Sequence, residues 1–498
     1  MKKFLNKFYP LLLACYPILA LRNYNITYVN FATIIRSLVF TIIGSFIILL
    51  LLQLAIHDWA KSSVLTSVLL VVIFSYGHLY NFLVESTGLA IQHRYLASAY
   101  FIVFSVSAIF ILRNNSVAES SRTFLVTVSV VLFCMVSAQS LWFDYSAYHA
   151  TRELALQDSE TQTAKVASLP DIYLIVLDGH ARSDVLFNIF EYDNSFFVEE
   201  LERLGFYVAH CSQSNYASTK LSLTSIFNAG YIQQMYGQTT VLPPLKTSRL
   251  NKLLKSLGYT TIAFENRASG HFDLKEDVLL SPRKLVFGRF DFSGGLTEFE
   301  SILINSSALK LFVDTETIPR LTQAVAGSKY NDHYQETLFI LSRLKDIQDL
   351  GSPKFVFAHI MVPHRPFIFS PDGNFRYAPN FISGYRDNSI FIDHAILPAI
   401  ETIIRESSQP PVIILLGDHG APTTRRITEN MRMFNLGAYY VNEQAQEQLY
   451  ESITPVNAVR VIMNQYFDQN YELVDDLSYY AYKLKQLESA KLIQNTCE

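Results

Sequence analysis

The sequence predicts an α-helical membrane bundle of about five spans, followed by an α/β domain with a mostly parallel central sheet. Residues 1–150 carry only 13 charged side chains, whereas residues 151–498 carry 71. The first part contains uncharged apolar runs of membrane-spanning length, and the second alternates short apolar runs with helix-like segments. We therefore expect transmembrane helices over residues 1–145, a linker over 146–170 and a folded domain over 171–498.

Five apolar runs make up the predicted bundle. Residues 37–56 contain no charged side chain, and such a helix is about 30 Å long, enough to cross the hydrocarbon core. The other runs cover residues 62–84, 95–112, 123–143 and the shorter 8–21. The shortest contains Pro10 and Pro17, so a tilted span, a re-entrant hairpin and an uncleaved signal remain alternatives for it.

The distribution of basic residues favours five spans over four. With five spans and the N-terminus inside, the inner segments hold Lys2, Lys3, Lys7, Lys61, Arg113 and Arg122, and the outer segments hold Arg22, Arg36 and Arg94. Positive charge concentrates on the cytoplasmic side of membrane proteins. The pattern therefore predicts a multi-pass inner-membrane protein whose large domain faces outside the cytoplasm.

Charge and cysteine content exclude several classes of protein. The net charge is −4 and no run of Lys and Arg occurs, so nucleic acid is not an expected partner. No C-x-x-C pair exists, which excludes a zinc ribbon or a redox motif. Cys15 and Cys134 fall in apolar segments and Cys211 and Cys497 outside them, and a disulfide framework is not expected.

The sequence of residues 171–498 predicts strands that are buried on both faces of a sheet and alternate with helices. Near-continuous apolar runs of this kind are typical of parallel sheets. The predicted strands cover residues 172–177, 260–264, 354–360 and 411–416. Helix-like segments cover residues 195–204 and 250–257, and a closing helix after residue 452 carries apolar positions at helical spacing.

Polar side chains follow three of these strands. Asp178 follows the first strand, His359 and His364 lie at and just beyond the third, and Asp418 and His419 follow the last. Ligands of parallel sheets bind beyond the carboxyl ends of the strands, so we expect these side chains to gather at one edge. Carboxylate oxygen and imidazole nitrogen are ligands of Zn²⁺ and Mn²⁺. The sequence therefore predicts a metal site.

A hydroxyl-rich segment, S-N-Y-A-S-T-K-L-S-L-T-S at residues 214–225, begins a predicted helix. Free N–H groups at a helix N-terminus favour an anion, and a hydroxyl there can act as a nucleophile. Simple N-capping by Ser218 or Thr219 is the alternative, and the sequence leaves both open.

Four blocks of sequence together resemble the alkaline phosphatase and sulfatase superfamily, and in particular its membrane-anchored branch of lipoteichoic acid synthases and lipid A phosphoethanolamine transferases. In chain order, the blocks are D-I-Y-L-I-V-L-D-G-H-A-R-S-D, S-N-Y-A-S-T-K-L-S-L, H-I-M-V-P-H-R-P-F and I-I-L-L-G-D-H-G. The resemblance covers roughly residues 170–465. It implies that residues 171–498 form an extracytoplasmic sulfatase-like catalytic domain.

The resemblance also implies roles for individual residues. One divalent cation, Zn²⁺ or Mn²⁺ with Mg²⁺ as a further option, would be held by Asp178, Thr219, Asp418 and His419. Thr219 would be the nucleophile, and His359 and His364 would line the substrate phosphate. His364 would also protonate the leaving oxygen. Lys220 either binds a phosphate oxygen or faces solvent.

Two departures limit what the resemblance implies. Sulfatases proper build their nucleophile from C-x-P-x-R or S-x-P-x-R, and neither motif begins at Cys211 or at the serines around it. Sulfate-ester hydrolysis by that route is therefore disfavoured. Some members of the branch use glutamate at the position of Asp178, so the metal preference does not transfer.

The favoured hypothesis is a transferase that moves a phosphoethanolamine or phosphoglycerol head group from a phospholipid donor to an envelope glycan or lipid through a phospho-threonine. A phosphodiesterase or phosphatase that uses water as acceptor is the first alternative. A non-catalytic envelope binding module is a lower one, because all four candidate metal ligands are present. A transporter is lower still, since the spans carry few ionisable groups. The sequence leaves protein partners open.

Overall fold

The computed structural model describes residues 2–26, 29, 31–87, 92–157, 169–237, 242–265, 274, 276–281, 296–424 and 426–497. Its first five helices are α1 (Lys2–Tyr24), α2 (Phe31–Ile56), α3 (Trp59–Thr87), α4 (His93–Arg113) and α5 (Asn115–Gln157). All five are long and apolar enough to cross a membrane, which confirms the predicted number of apolar helices. Helix α5 continues through residues 146–157 of the predicted linker, and residues 158–168 lie outside the described residues.

The remaining chain supplies the elements of an α/β fold. The further helices are α6 (Ser183–Phe190), α7 (Ser195–Arg203), α8 (Thr219–Asn228), α9 (Ile232–Tyr236), α10 (Arg249–Ser256), α11 (Glu298–Asn305), α12 (Leu309–Asp314), α13 (Pro319–Lys345), α14 (Phe381–Glu406), α15 (Glu429–Met433), α16 (Glu443–Gln446) and α17 (Pro455–Phe467). The strands are β1 (Ile172–Leu177), β2 (Tyr207–Val208), β3 (Thr260–Phe264), β4 (Val278–Leu280), β5 (Lys354–Ile360), β6 (Val412–Leu416), β7 (Gly437–Tyr440), β8 (Tyr479–Tyr480) and β9 (Lys491–Leu492).

The chain forms two compact units. The first comprises Met1–Tyr145 and Arg283–Asn331, and the second comprises Ser146–Pro282 and Asp332–Glu498. The predicted domain 171–498 remains a prediction, and the described residues 296–331 group with the first unit. Phe299 of α11 packs in one apolar cluster with residues of α1, α2 and α5, and Glu300 accepts hydrogen bonds from Arg36 of α2. These contacts attach α11 to the bundle of apolar helices.

A seven-stranded sheet with the order β2-β7-β6-β1-β5-β3-β4 organises the second unit. Strand β1 pairs in parallel with both β5 and β6, whereas β7 runs antiparallel to β6 and β2. The prediction of a mostly parallel sheet is therefore confirmed. Every residue of β1, β5 and β6 is buried, which explains their continuous apolar sequences.

The register of the three central strands aligns their carboxyl ends. Val176 of β1 lies opposite His359 of β5 on one side and Leu416 of β6 on the other. The residues that follow β1 and β6 therefore emerge at the same edge of the sheet as the end of β5.

The largest apolar cluster covers one face of the sheet. Alternate residues of β1, such as Leu174 and Val176, pack there with buried side chains of α8, α10 and α17. Helix α17 contributes Ala458, Val461 and Phe467 to this core, as expected for the closing helix. A second cluster joins α6 to α14. The helices thereby hold the sheet edge that carries the site.

Against the sequence expectation, Cys211 and Cys497 form a disulfide. They are 286 residues apart, and a pair so distant leaves no spacing signal in the sequence. The fold brings them together because the Asn495 amide donates to the Cys211 carbonyl and Arg182 donates to the Thr496 carbonyl. Such a bond is typical of an oxidising, extracytoplasmic compartment.

Candidate metal centre

The loop after β1 is fixed by backbone hydrogen bonds to neighbouring elements. The Asp178 N–H donates to the Ile360 carbonyl at 2.8 Å, and the His364 N–H donates to the Asp178 carbonyl at 3.1 Å. Gly179 follows with φ of +70°, a conformation that glycine adopts without strain. The Tyr385 hydroxyl of α14 donates to the Gly179 carbonyl at 2.6 Å. Asp178 therefore sits on a hydrogen-bonded backbone at the end of β1, beside the last residue of β5.

The loop after β6 packs directly on the first loop. A Cβ on Gly417 would lie 2.4 Å from the His180 carbonyl oxygen, so only glycine allows this approach. Gly417 therefore serves close packing, whereas Gly179 supplies the left-handed turn. The Gly179 N–H donates to Asp418 Oδ1 at 2.8 Å and links the two loops.

Asp178, His359 and Asp418 form a buried group whose ligand atoms all lie within 4.8 Å of one another. His359 Nε2 is 3.1 Å from Asp178 Oδ2. Asp178 Oδ1 and Asp418 Oδ2 are buried and have no hydrogen-bond partner among the residues that the structure describes. Buried polar atoms normally have a partner, and two such oxygens beside an imidazole nitrogen match the donor set of a divalent cation. The described residues therefore fit the expected metal.

The two carboxylates differ in their proton affinity. Burial acts to raise the pKa of Asp178, but the nearby His364, His359 and His419 hold it below its usual range. Burial and the neighbouring Asp178 charge raise the pKa of Asp418 to about 6. Two carboxylates this close repel each other, and a bound cation would offset that repulsion.

His419 presents a ring nitrogen to this group. Its Nδ1 lies 3.0 Å from the Gly420 carbonyl oxygen and donates to it, so Nε2 keeps its lone pair. Nε2 lies 3.3 Å from Asp418 Oδ2 and 3.9 Å from Asp178 Oδ1. Burial and the Arg432 guanidinium hold the pKa of His419 well below its usual value. In this form the Nε2 lone pair accepts from Arg432 Nη2 at 2.9 Å, and the neutral imidazole is the form that can bind a metal.

Thr219, the first residue of α8, lies beside His419. Its Oγ1 is 3.3 Å from His419 Nε2. The N-cap residue is Ser218, but its side chain makes no capping hydrogen bond. The Ser222 hydroxyl of the same helix donates to the Asp418 carbonyl at 2.6 Å. Helix α8 is thus bonded to the loop after β6, and the N-capping alternative does not account for the Thr219 hydroxyl.

The other predicted site residues lie at the margin of the group. His364 is half-buried, and its Nδ1 lies 2.8 Å from the Arg365 carbonyl oxygen. Lys220 is half-buried at the start of α8, and burial lowers the pKa of its ammonium group to about 8.

His359, which the resemblance places along the substrate phosphate, is 3 % exposed and belongs to the compact group with both aspartates.

Sequence reasoning missed Arg432, which is only 5 % exposed. Its guanidinium donates to the Ala217 carbonyl at 2.8 and 3.0 Å and to the Gly420 carbonyl at 2.9 Å. Its Nη2 also lies 2.9 Å from His419 Nε2. Arg432 therefore joins the segment before Thr219 to the loop after Asp418. The only signal in the sequence is a charged residue between two methionines in M-R-M-F.

A second group of residues that the sequence did not reveal supports the loop after β1 through buried hydrogen bonds. His180 Nε2 lies 2.6 Å from Asp393 Oδ1, and the Tyr192 hydroxyl donates to Asp393 Oδ2 at 2.9 Å. His180 and Asp393 are both fully buried. Asp393 lies in α14, more than 200 residues along the chain from His180, so no local pattern connects them.

Comparisons with known proteins agree with this fold. A family model described as Sulfatase matches residues 170–471. No curated protein sequence matches the chain.

Several solved structures are similar to the chain at low identity. The periplasmic domain of EptC from Escherichia coli, in complex with Zn, is 11 % identical with a TM-score of 0.41, covering 64 % of this chain and 90 % of its own. The periplasmic domain of the phosphoethanolamine transferase EptC from Campylobacter jejuni is 11 % identical with a TM-score of 0.39, covering 61 % and 91 %. The lipoteichoic acid synthase LtaP from Listeria monocytogenes is 10 % identical with a TM-score of 0.38, covering 67 % and 83 %. At these values the neighbours do not bear on the reaction of this chain.

Proposed function

The chain belongs to the sulfatase family, and we propose that it is a membrane-anchored, metal-dependent phosphotransferase that works through a phospho-threonine at Thr219. The transferred unit is a phosphoryl-linked head group of the phosphoethanolamine or phosphoglycerol type. The donor is a phospholipid, and the acceptor is a glycan or lipid of the cell envelope.

One observation carries the proposal: a threonine hydroxyl at the N-terminus of α8 lies 3.3 Å from His419 Nε2, beside a buried group that fits a divalent cation. A hydroxyl needs activation to act as a nucleophile, and this is the arrangement that provides it. The first N–H groups of α8 also favour an anionic phosphoryl group. The missing C-x-P-x-R motif speaks against sulfate esters as substrates.

The cation would be held by Asp178, Asp418, His419 and Thr219, with His359 as a further candidate, and it would supply positive charge that acidifies a hydroxyl and offsets phosphoryl charge. Arg432 keeps the segment before Thr219 and the His419 loop in register, which orients the Thr219 oxygen.

The reaction proceeds in two displacements. In the first, Thr219 Oγ1 gives up its proton to solvent water and bonds to phosphorus while the bond from phosphorus to the lipid glycerol oxygen breaks. His364 donates a proton to that oxygen, and diacylglycerol leaves. In the second, an acceptor hydroxyl attacks the phospho-threonine and passes its proton to His364, while the bond from phosphorus to Thr219 Oγ1 breaks and that oxygen takes up a proton from solvent water.

The apolar helices support a phospholipid as donor. Tethering an active site to a bilayer raises the effective concentration of substrates that reside there. The positive-inside charge distribution and the Cys211–Cys497 disulfide both favour an extracytoplasmic location.

Intact-mass spectrometry of the full-length protein, after incubation with phospholipid vesicles, tests the proposal. We expect an adduct whose mass identifies phosphoethanolamine, phosphoglycerol or bare phosphate, and peptide mapping should assign it to Thr219. Thr219→Ala should lose both the adduct and turnover, while Ser218→Ala, which removes the neighbouring hydroxyl, should keep them.

Two results would contradict the proposal. Turnover by a folded Thr219→Ala protein would show that Thr219 is not the nucleophile. An adduct on any other residue would assign the nucleophile to that residue. With acceptor omitted, release of the free head group by the wild-type protein would instead support the hydrolase.

A further inference from the structure

The insertion at residues 296–331 belongs to the first unit together with the apolar helices, although it follows the segment Ser146–Pro282 of the second unit. Its two short helices, α11 and α12, are joined by a turn at residues 306–308. The residues of α3 that the turn contacts show how far along the membrane-spanning helix the turn lies.

The turn is bonded directly to the backbone of α3. The His78 N–H donates to the Ser306 carbonyl at 3.2 Å, and the Ala308 N–H donates to the Ile73 carbonyl at 2.7 Å. A Cβ on Gly77 would lie 2.4 Å from the Ser306 carbonyl carbon, so the contact depends on glycine. Gly77 and the backbone groups of Ile73 and His78 thus form a site on α3 at which the turn docks.

The inner end of α3 is marked by Lys61, whose Nζ donates to the Leu112 carbonyl at the end of α4. Gly77 lies sixteen residues further on, about 24 Å along the helix at 1.5 Å per residue. The hydrocarbon core of a bilayer is about 30 Å thick. The turn therefore lies near the opposite boundary of the core, the end from which α5 leaves the bundle.

Aromatic and charged side chains confirm that this level is an interface. The ring of His93, the first residue of α4, stacks on Tyr80 with 4.1 Å between centroids, and its Nδ1 lies 3.0 Å from the Tyr76 hydroxyl. Asp314 of α12 lies 3.0 Å from both His93 Nε2 and Lys310 Nζ. Tyrosines and paired charges are typical of the boundary between lipid and water.

The outward side of the two helices is apolar. Ile302 of α11 is 43 % exposed and Leu309 of α12 is 42 % exposed, whereas Phe299 is buried against the bundle. The polar backbone of the turn is satisfied by α3, as irregular backbone at membrane depth must be.

From this geometry we infer that α11 and α12 form an in-plane interfacial segment, whose Ile302 and Leu309 contact the phospholipids of the outer leaflet. The occupant of this surface is the bilayer because Leu79 and Phe82 of α3, within five residues of Gly77, are also exposed and apolar. The inference goes beyond the proposed function and does not depend on it, since it uses no residue of the metal centre.

Site-directed spin labelling of the full-length protein in phosphatidylethanolamine and phosphatidylglycerol vesicles tests it. Nitroxides are attached to Ile302→Cys and Leu309→Cys in a Cys15→Ala/Cys134→Ala background that keeps the disulfide. Collision rates are then measured with oxygen, which concentrates in lipid, and with a water-soluble nickel chelate.

We expect both labels to collide preferentially with oxygen, as a label at Phe101→Cys on the exposed face of α4 should. A label at Gln444→Cys, on an exposed surface of the second unit, is the aqueous reference. Preferential collision of the Ile302 and Leu309 labels with nickel would overturn the inference. Low collision rates with both reagents would place them against protein and would also overturn it.

A pair of glycine variants tests the docking itself. Gly77→Val should push the turn away and make the label at Leu309→Cys more mobile. Gly44→Val in α2, where a Cβ meets nothing within 4 Å, should leave the label unchanged. An unchanged spectrum in Gly77→Val would contradict the docking from which the depth follows.

Discussion

Replacing Arg432 with lysine tests whether the arginine positions the nucleophile or merely fills space. Arg432 donates to the carbonyls of Ala217 and Gly420, which belong to two separate loops, and contacts His419 Nε2 at 2.9 Å. A lysine ammonium keeps the charge, but its three N–H donors lie on one atom and cannot reproduce the separate nitrogens with which Arg432 reaches the two loops.

The size of the effect follows from these contacts. A hydrogen bond from a charged group contributes about 1.5–3 kcal/mol, and a buried carbonyl left unpaired costs a similar amount. We therefore expect Arg432→Lys to lower the free energy of unfolding by about 2–3 kcal/mol. Because Thr219 and the His419 loop lose their common support, kcat should fall about 100-fold, as misplacement by about 1 Å typically causes.

The assay combines thermal unfolding in detergent with release of diacylglycerol from a phospholipid donor. Arg182→Lys is the matched control, because Arg182 is also 5 % exposed but donates to Asp184 and to the carbonyl of Thr496. Arg182→Lys should lose stability and keep kcat for the molecules that remain folded. If Arg432→Lys retains kcat at a similar loss of stability, the positioning role is refuted.

Three further outcomes are expected. Gly417→Ala should lower the melting temperature strongly, because its Cβ would lie 2.4 Å from the His180 carbonyl oxygen. Gly351→Ala, where a Cβ meets nothing within 4 Å, should change the melting temperature little. Equal effects of the two substitutions would contradict the close packing of the two loops. A double serine variant of Cys211 and Cys497 should lose up to about 5 kcal/mol of stability, since the bond closes a very long loop, and a reductant should lower the melting temperature of the wild type only. Chelation should abolish turnover and Zn²⁺ or Mn²⁺ should restore it, while activity in protein shown to be metal-free would contradict the assignment of the site.

Part of the candidate site was predictable because its signals are local. Asp178, Asp418 and His419 directly follow runs of apolar residues that can only be buried strands, and parallel strands align their carboxyl ends. That reasoning brought together side chains 240 residues apart. The observed register, with Val176 between His359 and Leu416, agrees with it.

Other features carried no local signal. The position of His359 inside the compact carboxylate group depends on the direction of its ring, which no sequence pattern specifies. The Arg432 bridge and the buried pair of His180 and Asp393 join elements that are far apart in the chain.

The sequence by itself determined the elements, because burial acts on each segment separately. An uncharged run of about 20 residues must cross lipid, and a short apolar run between helices must lie inside a sheet. The tertiary structure alone decided which distant groups meet: the disulfide between Cys211 and Cys497, the support of the site by Arg432, and the docking of residues 296–331 on the bundle through Gly77. Those contacts depend on how closely distant backbone segments approach each other and on the directions of their side chains. The local spacing of apolar residues determines neither.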